Sequence, residues 1–261
     1  MHKVRGWLLG VTLVLLSVGL AFPVWAEGSA EVSTDVLSQY IWRGFGLSND
    51  SMVIEPSITV SYQNFSVNVW GNYDTNDQTL SPSQANWNET DLTLDYTYDK
   101  LPYGLSANAG TIYYALEGED SFEIYAGLSA TCPVTGINAG LTIYKEISHY
   151  PGWWFELSAD RSFALPWYGA SLDVGATALY LSSDDPASYP DPNNTTEAYS
   201  GWVNLDLSAS VSIPVTKEIT VTPKVAYSWA FTDDGKKLLA AGSVDNHHDH
   251  LYGGVGVSFS F

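Results

Sequence analysis

From residue 32 to the C-terminus the chain alternates apolar and polar residues with a period of two, and turn residues interrupt the alternation at short intervals. Successive side chains of a strand point to opposite faces, so the pattern predicts strands with one face suited to lipid and the other to water. The run 219–231 sets Ile219, Val221, Val225, Tyr227, Trp229 and Phe231 against Thr220, Thr222, Lys224, Ala226 and Ser228. The run 199–213 sets Val203, Leu205, Leu207, Ala209, Val211 and Ile213 against Asn204, Asp206, Ser208, Ser210 and Ser212.

Counting gives about twelve runs: 32–45, 53–62, 65–75, 89–98, 104–116, 121–132, 137–148, 153–163, 169–181, 199–213, 219–231 and 250–261. Their connections fall into two alternating kinds. Those at 63–64, 99–103, 133–136, 164–168 and 214–218 are short, whereas 76–88, 182–198 and 232–249 are long and polar. Short periplasmic turns opposite longer external loops mark outer-membrane barrels. A sheet with free edges is excluded from hydrocarbon because each unpaired N–H or C=O there is costly. The expected fold is therefore all-β, a closed antiparallel transmembrane β-barrel of about 12 strands with both termini on one side.

Aromatic residues suggest the depth of the chain in the bilayer. Trp42, Trp70, Tyr73, Trp153, Trp154, Tyr180, Trp229 and Phe231 fall near the outer strand ends, and Tyr62, Phe65, Tyr98, Phe163 and Trp167 near the other rim. Two interfacial girdles are expected, the alternative being the core of a soluble sandwich. Two features strain the scheme. Pro56 and Pro223 lie inside predicted strands of a sheet without free edges, so each is expected at a bulge or near a rim. The first run also mixes Leu37 and Ile41 with Asp35, Gln39 and Arg43 on one side.

Residues 1–26 have a basic start (Lys3, Arg5), a short apolar run and Val24-Trp25-Ala26 before Glu27, the pattern of a cleaved signal peptide, leaving 27–261 as the barrel domain. The expected destination is the bacterial outer membrane, reached by secretion through the inner membrane. The whole chain has a net charge of −19, which argues against a nucleic-acid partner. Charged residues make up only 15% and aromatics are plentiful, so it is no acidic disordered tail. Cys132 has no partner for an internal disulfide and is read as a buried or membrane-facing small residue.

The chain ends with Leu251, Gly253, Val255, Val257, Phe259 and Phe261 on one face of a final run. This resembles the C-terminal signal that the barrel assembly machinery recognises. The blocks Ser38-Gln39-Tyr40-Ile41-Trp42-Arg43-Gly44, Pro56-Ser57-Ile58-Thr59-Val60-Ser61-Tyr62 and Val69-Trp70-Gly71-Asn72 resemble the TorF family of porin-type proteins, also called Gcw_chp proteins. The resemblance implies an outer-membrane barrel with a porin role. It brings no substrate, cofactor or catalytic residue.

Strand parity nominates Arg43, Asp95, Glu123, Glu156, Asp173, Asp206 and Lys224 as pore-lining. Acids outnumber bases among them, so an open lumen would favour cations. The expected function is passive diffusion of small ions or solutes. The alternatives are a plugged structural or adhesive barrel, in which these charges pair across the interior, and a lipid-acting enzyme. For the enzyme, Ser148 and His149 are neighbours, and adjacent strand residues face opposite ways, so they form no dyad. His247, His248 and His250 in the last loop, with His149 in another, lack the spacing of a fixed metal site. Asp184, Asp185, Asp191, Asn193, Asn194 and Glu197 lack a calcium-loop motif. No cofactor and no metal is expected. The expected surroundings are outer-membrane lipid and lipopolysaccharide.

Overall fold

The computed structural model describes residues 28–79 and 83–261, and the expected leader lies outside them. In chain order the strands are β1 (Gly28–Leu37), β2 (Ile41–Trp42), β3 (Phe45–Gly46), β4 (Val53–Tyr62), β5 (Phe65–Asp77), β6 (Gln84–Tyr98), β7 (Leu105–Leu116), β8 (Ser121–Thr131) and β9 (Asn138–Glu146). They continue as β10 (Gly152–Ala164), β11 (Ser171–Ser183), β12 (Pro190–Asp191), β13 (Asn194–Ala198), β14 (Ser200–Pro214), β15 (Ile219–Trp229) and β16 (Asp249–Ser260). A helix, α1 (Asp233–Gly242), lies between β15 and β16.

Twelve of these strands close into an antiparallel barrel in the order β1-β16-β15-β14-β11-β10-β9-β8-β7-β6-β5-β4. β1 closes it by pairing with β4 on one side, Leu37 opposite Val53, and with β16 on the other, Glu31 opposite Ser260. The polar faces point inward. Leu128, Leu157, Val225 and Leu251 are exposed on the outside, whereas Asn72, Asn204 and Ser228 are fully buried. An apolar outside and a polar inside suit lipid as the surrounding solvent. Phe65, Tyr62, Tyr98, Phe163 and Trp167 are exposed at the short-turn rim.

Four expectations need correction. The first strand is Gly28–Leu37, not 32–45: residues 38–52 turn into the barrel. Trp42, Trp70 and Trp154 belong to no girdle. Trp154 is 1% exposed in an internal apolar cluster, Trp42 lies 5.8 Å from it, and Trp70 packs 5.5 Å from the buried Tyr40. Val203 does not face lipid, because the register of β11 against β14 shifts between Leu179 and Tyr180 and takes Val203 into the interior, where it is fully buried. One extra residue in a strand reverses which face the following side chains take. Of the two placements expected for Cys132, buried or membrane-facing, the first falls, because Cys132 is exposed in the turn after β8.

The prolines behave unexpectedly too. Pro56 pairs with Thr34 and Pro223 with Val255, both well inside their strands. No bulge accompanies either one. The register runs on unchanged while pairing lapses on the other side, between Ile54 and Ser57 towards β5 and between Val221 and Lys224 towards β14. A residue without an N–H thus costs local ladder bonds and leaves the barrel closed.

Candidate functional site

The interior is built from two parts, the inward strand faces and the segment 38–52. That segment forms a tight hairpin, Trp42 opposite Phe45, with Arg43 and Gly44 at its tip. Both tip residues have positive φ, 48° and 88°. Two such residues in succession give the turn whose twist suits a two-residue hairpin. Gly44 presses on β14, where an added Cβ would come within 2.8 Å of Asn204 Cγ. Backbone bonds hold the hairpin's base and flank: Leu47 N–H donates to Tyr40 O, and Val244 N–H to Gly46 O.

Helix α1 covers the hairpin. Thr232 caps its start by accepting from Gly235 N–H at 3.0 Å. Leu238 and Leu239 are buried in a cluster with Phe45, Trp154, Leu179, Leu181 and Val203. At the helix end, a Cβ on Gly242 would meet Phe45 Cε1 at 2.6 Å, so helix and hairpin ring are in close contact. Segment 232–249, expected as a polar loop, thus carries a helix with a buried apolar face.

The seven nominated residues all reach the interior, by different routes. Arg43 arrives on the hairpin tip, not on a strand. Its Nη1 and Nη2 donate to Glu123 Oε1 and Oε2 at 2.7 and 2.8 Å, and both side chains are buried. Its guanidinium lies 4.6 Å from the Trp42 and Tyr144 ring centres and 4.8 Å from that of Trp154. Asp95 accepts from Tyr125 and Asn108, and Asp173 from Ser171 and Ser212. Asp206 accepts from Asn204 and leaves its Oδ1 buried without a partner. Glu156 shares the inward face of β10 with Trp154. Lys224 pairs with Asp35 at 2.8 Å.

The same parity places Glu55, Glu89, Asp91, Glu146 and Asp160 inside as well. Among the described residues Lys224 is the one inward-facing lysine or arginine on a barrel strand, so the acidic excess is larger than the nominated set suggested. The signal for these acids was present in the alternation of 53–62, 89–98, 137–148 and 153–163.

The other candidates disperse. His250 enters the barrel and bonds Asp245 at 3.1 Å, while His247 and His248 sit beside Asp245 and Asp249. Among the described residues no group of three or more metal-ligating side chains comes together. Asp184 pairs with Lys145, and Asp191 accepts from the N–H groups of Asn193 and Asn194. The Ser188 hydroxyl and the Ala187 N–H hold the Asp185 carboxylate below its usual range. Ser148 Oγ donates to Glu146, and His149 Nδ1 contacts the backbone oxygen of Asp120.

No family model and no curated protein matches the sequence. Solved structures share the fold. The NanC porin superposes with a TM-score of 0.56 at 12% identity, covering 88% of this chain and 98% of that one. The KdgM porin gives 0.54 at 12% identity, with 88% and 99% covered. An outer membrane channel from Pseudomonas putida F1 gives 0.50 at 10% identity, with 92% and 97% covered.

Proposed function

We propose that this barrel is an outer-membrane channel for the passive diffusion of small ions or solutes, preferring cations. The observation that supports it is an inner wall rich in carboxylates, whose one strand-borne lysine is already paired with Asp35. A wall of one sign in a low-dielectric enclosure concentrates counter-ions and repels like charges. The KdgM porin has been solved in complex with oligogalacturonate, a carboxylate-bearing saccharide. The acidic wall here favours the opposite sign of solute. The three sequence blocks that resemble TorF-type proteins, the signal-peptide pattern and the terminal phenylalanine fit secretion to a bacterial outer membrane and insertion by the assembly machinery among lipid and lipopolysaccharide.

Planar-bilayer recording tests this reading. Folded protein should give channels whose reversal potential in a salt gradient reports cation preference, and Asp206→Asn should lower that preference with folding intact. The effect should grow at low salt, where screening is weaker. Absence of channels would favour a second reading, a closed structural barrel. The buried hairpin and its cover of Leu238 and Leu239 speak for that alternative.

A further inference from the structure

Beneath the external loops lies a cavity of about 190 Å³, lined by Trp42, Tyr114, Tyr150, Trp154 and Tyr189 together with Glu89, Glu123 and Glu146. That is the space of about six liquid waters. Its position follows from its walls: Tyr150 and Tyr189 come from the loops after β9 and β11, and Ser121 stands at the outer end of β8. The rings are set edge to face, Trp42 to Tyr114 at 81° and Trp154 to Tyr189 at 87°. An enclosure of aromatic faces with carboxylates attracts a cation through ring quadrupole and charge together.

The charges in this wall do not balance. Within this wall Arg43 pairs with Glu123 alone, through Nη1 and Nη2. Glu146 is held in place by N–H groups of Ser148, His149 and Tyr150, none of which carries charge. Glu89 is buried with no base beside it. Acceptors are in excess next to it: the Oδ1 atoms of Asn72, its cross-strand partner, and of Asp91 are buried without partners. Uncompensated buried charge is costly, so a cation entering here would offset the carboxylates of Glu89 and Glu146, which line the cavity. Arg43 already shows the mode of binding, since it is boxed by Trp42, Tyr144 and Trp154 and held by a carboxylate.

We propose that this cavity is a binding site for a small organic cation, an alkylammonium or guanidinium of about half a dozen heavy atoms, which enters from the external medium. This deepens the channel reading and rests on it for the orientation of the mouth. The wall next to Arg43 is then a selectivity element, in which aromatic faces and Glu89 choose solutes by charge and shape.

The test uses the folded, full-length mature barrel in detergent micelles, with tetramethylammonium chloride as probe and calorimetry as readout. Neopentyl alcohol supplies a similar shape without charge, sodium chloride controls for ionic strength, and glucose represents a neutral sugar. Tetramethylammonium should bind saturably, and the other three should not. Glu89→Gln should weaken binding about tenfold, and Tyr150→Ala, outside the strands, about threefold. Heat-dependent gel mobility shows that each variant is folded, and if Glu89→Gln fails to fold, Tyr150→Ala and the probe series decide. No saturable binding, equal binding of neopentyl alcohol or glucose, or folded variants with unchanged affinity would overturn the proposal. Bilayer conductance is read separately: channels without binding remove this site alone, whereas binding without channels removes the channel reading.

Discussion

Lys224 on β15 reaches across β16 to Asp35 on β1, closing the 2.8 Å gap between their charged atoms over a strand lined with glycine. A Cβ on Gly256 would lie 2.2 Å from Asp35 Oδ1, so the missing side chain makes room for the pair. Both side chains are about one-third exposed, which keeps the pair's contribution to stability small. Its electrical effect is larger. Lys224→Gln should raise cation preference by leaving Asp35 uncompensated, and the double variant Asp35→Asn with Lys224→Gln should return the reversal potential close to that of wild type.

Breaking the Arg43–Glu123 pair should release the hairpin. Both side chains are buried, and removing one partner of such a pair costs about 3–5 kcal/mol because the other is left uncompensated. Arg43→Met should therefore increase single-channel conductance and make 38–52 more accessible to protease, and Arg43→Met with Glu123→Gln should recover part of the loss. Unchanged conductance and protection in both variants would show that helix α1 alone holds the hairpin.

Much of this architecture was legible in the alternation itself. Eleven of the expected runs overlap the observed barrel strands closely, because lipid outside and polar groups inside impose opposite chemistry on adjacent residues. The rule fails where its physical premise fails. At 38–52 both faces meet protein, so Trp42 and Phe45 are apolar without facing lipid. The mixed parity of Leu37, Ile41 and Arg43 was the visible trace of that inward turn. Val203 eluded the pattern because a bulge needs only one extra residue and carries no composition of its own. Helix α1 showed a capping Thr232 before Asp233 and Asp234, but its few apolar residues, Leu238 and Leu239 among them, gave too short a stripe to stand out.

Cys132 offers a test of orientation. It is exposed in a short turn, and the Thr135 hydroxyl pulls its thiol below the ordinary thiol range. A maleimide too large for porins should leave it unlabelled in intact cells and label it once the periplasm is opened. The rate follows the thiolate, so it should stay appreciable below the pH at which an ordinary thiol slows, and Thr135→Ala should move that midpoint upward. Labelling in intact cells would invert the assigned topology.

Deleting Phe261 should impair assembly. Its N–H and C=O bond to the C=O and N–H of Ala30, each at 2.9 Å, at the end of the closing strand pair. Its ring also packs 5.6 Å from Phe259. The fraction of outer-membrane protein that migrates as folded barrel before heating measures the loss, and a normal fraction would remove the terminal ring from the assembly signal.

The pairing of β1 with β16 also makes closure of the barrel a long-range event. β1 pairs with β4 close by in sequence, but its other edge is met only by β16, from the far end of the barrel sequence, with Glu31 opposite Ser260. Until then a row of unsatisfied backbone donors and acceptors is open to any other unfinished sheet. Ring closure at such sequence separation is slow, and slow closure gives cross-pairing between molecules its opportunity. The unclosed chain thus depends on being kept apart from its siblings, and a barrel that lacks β16 is an adhesive ribbon rather than a smaller barrel.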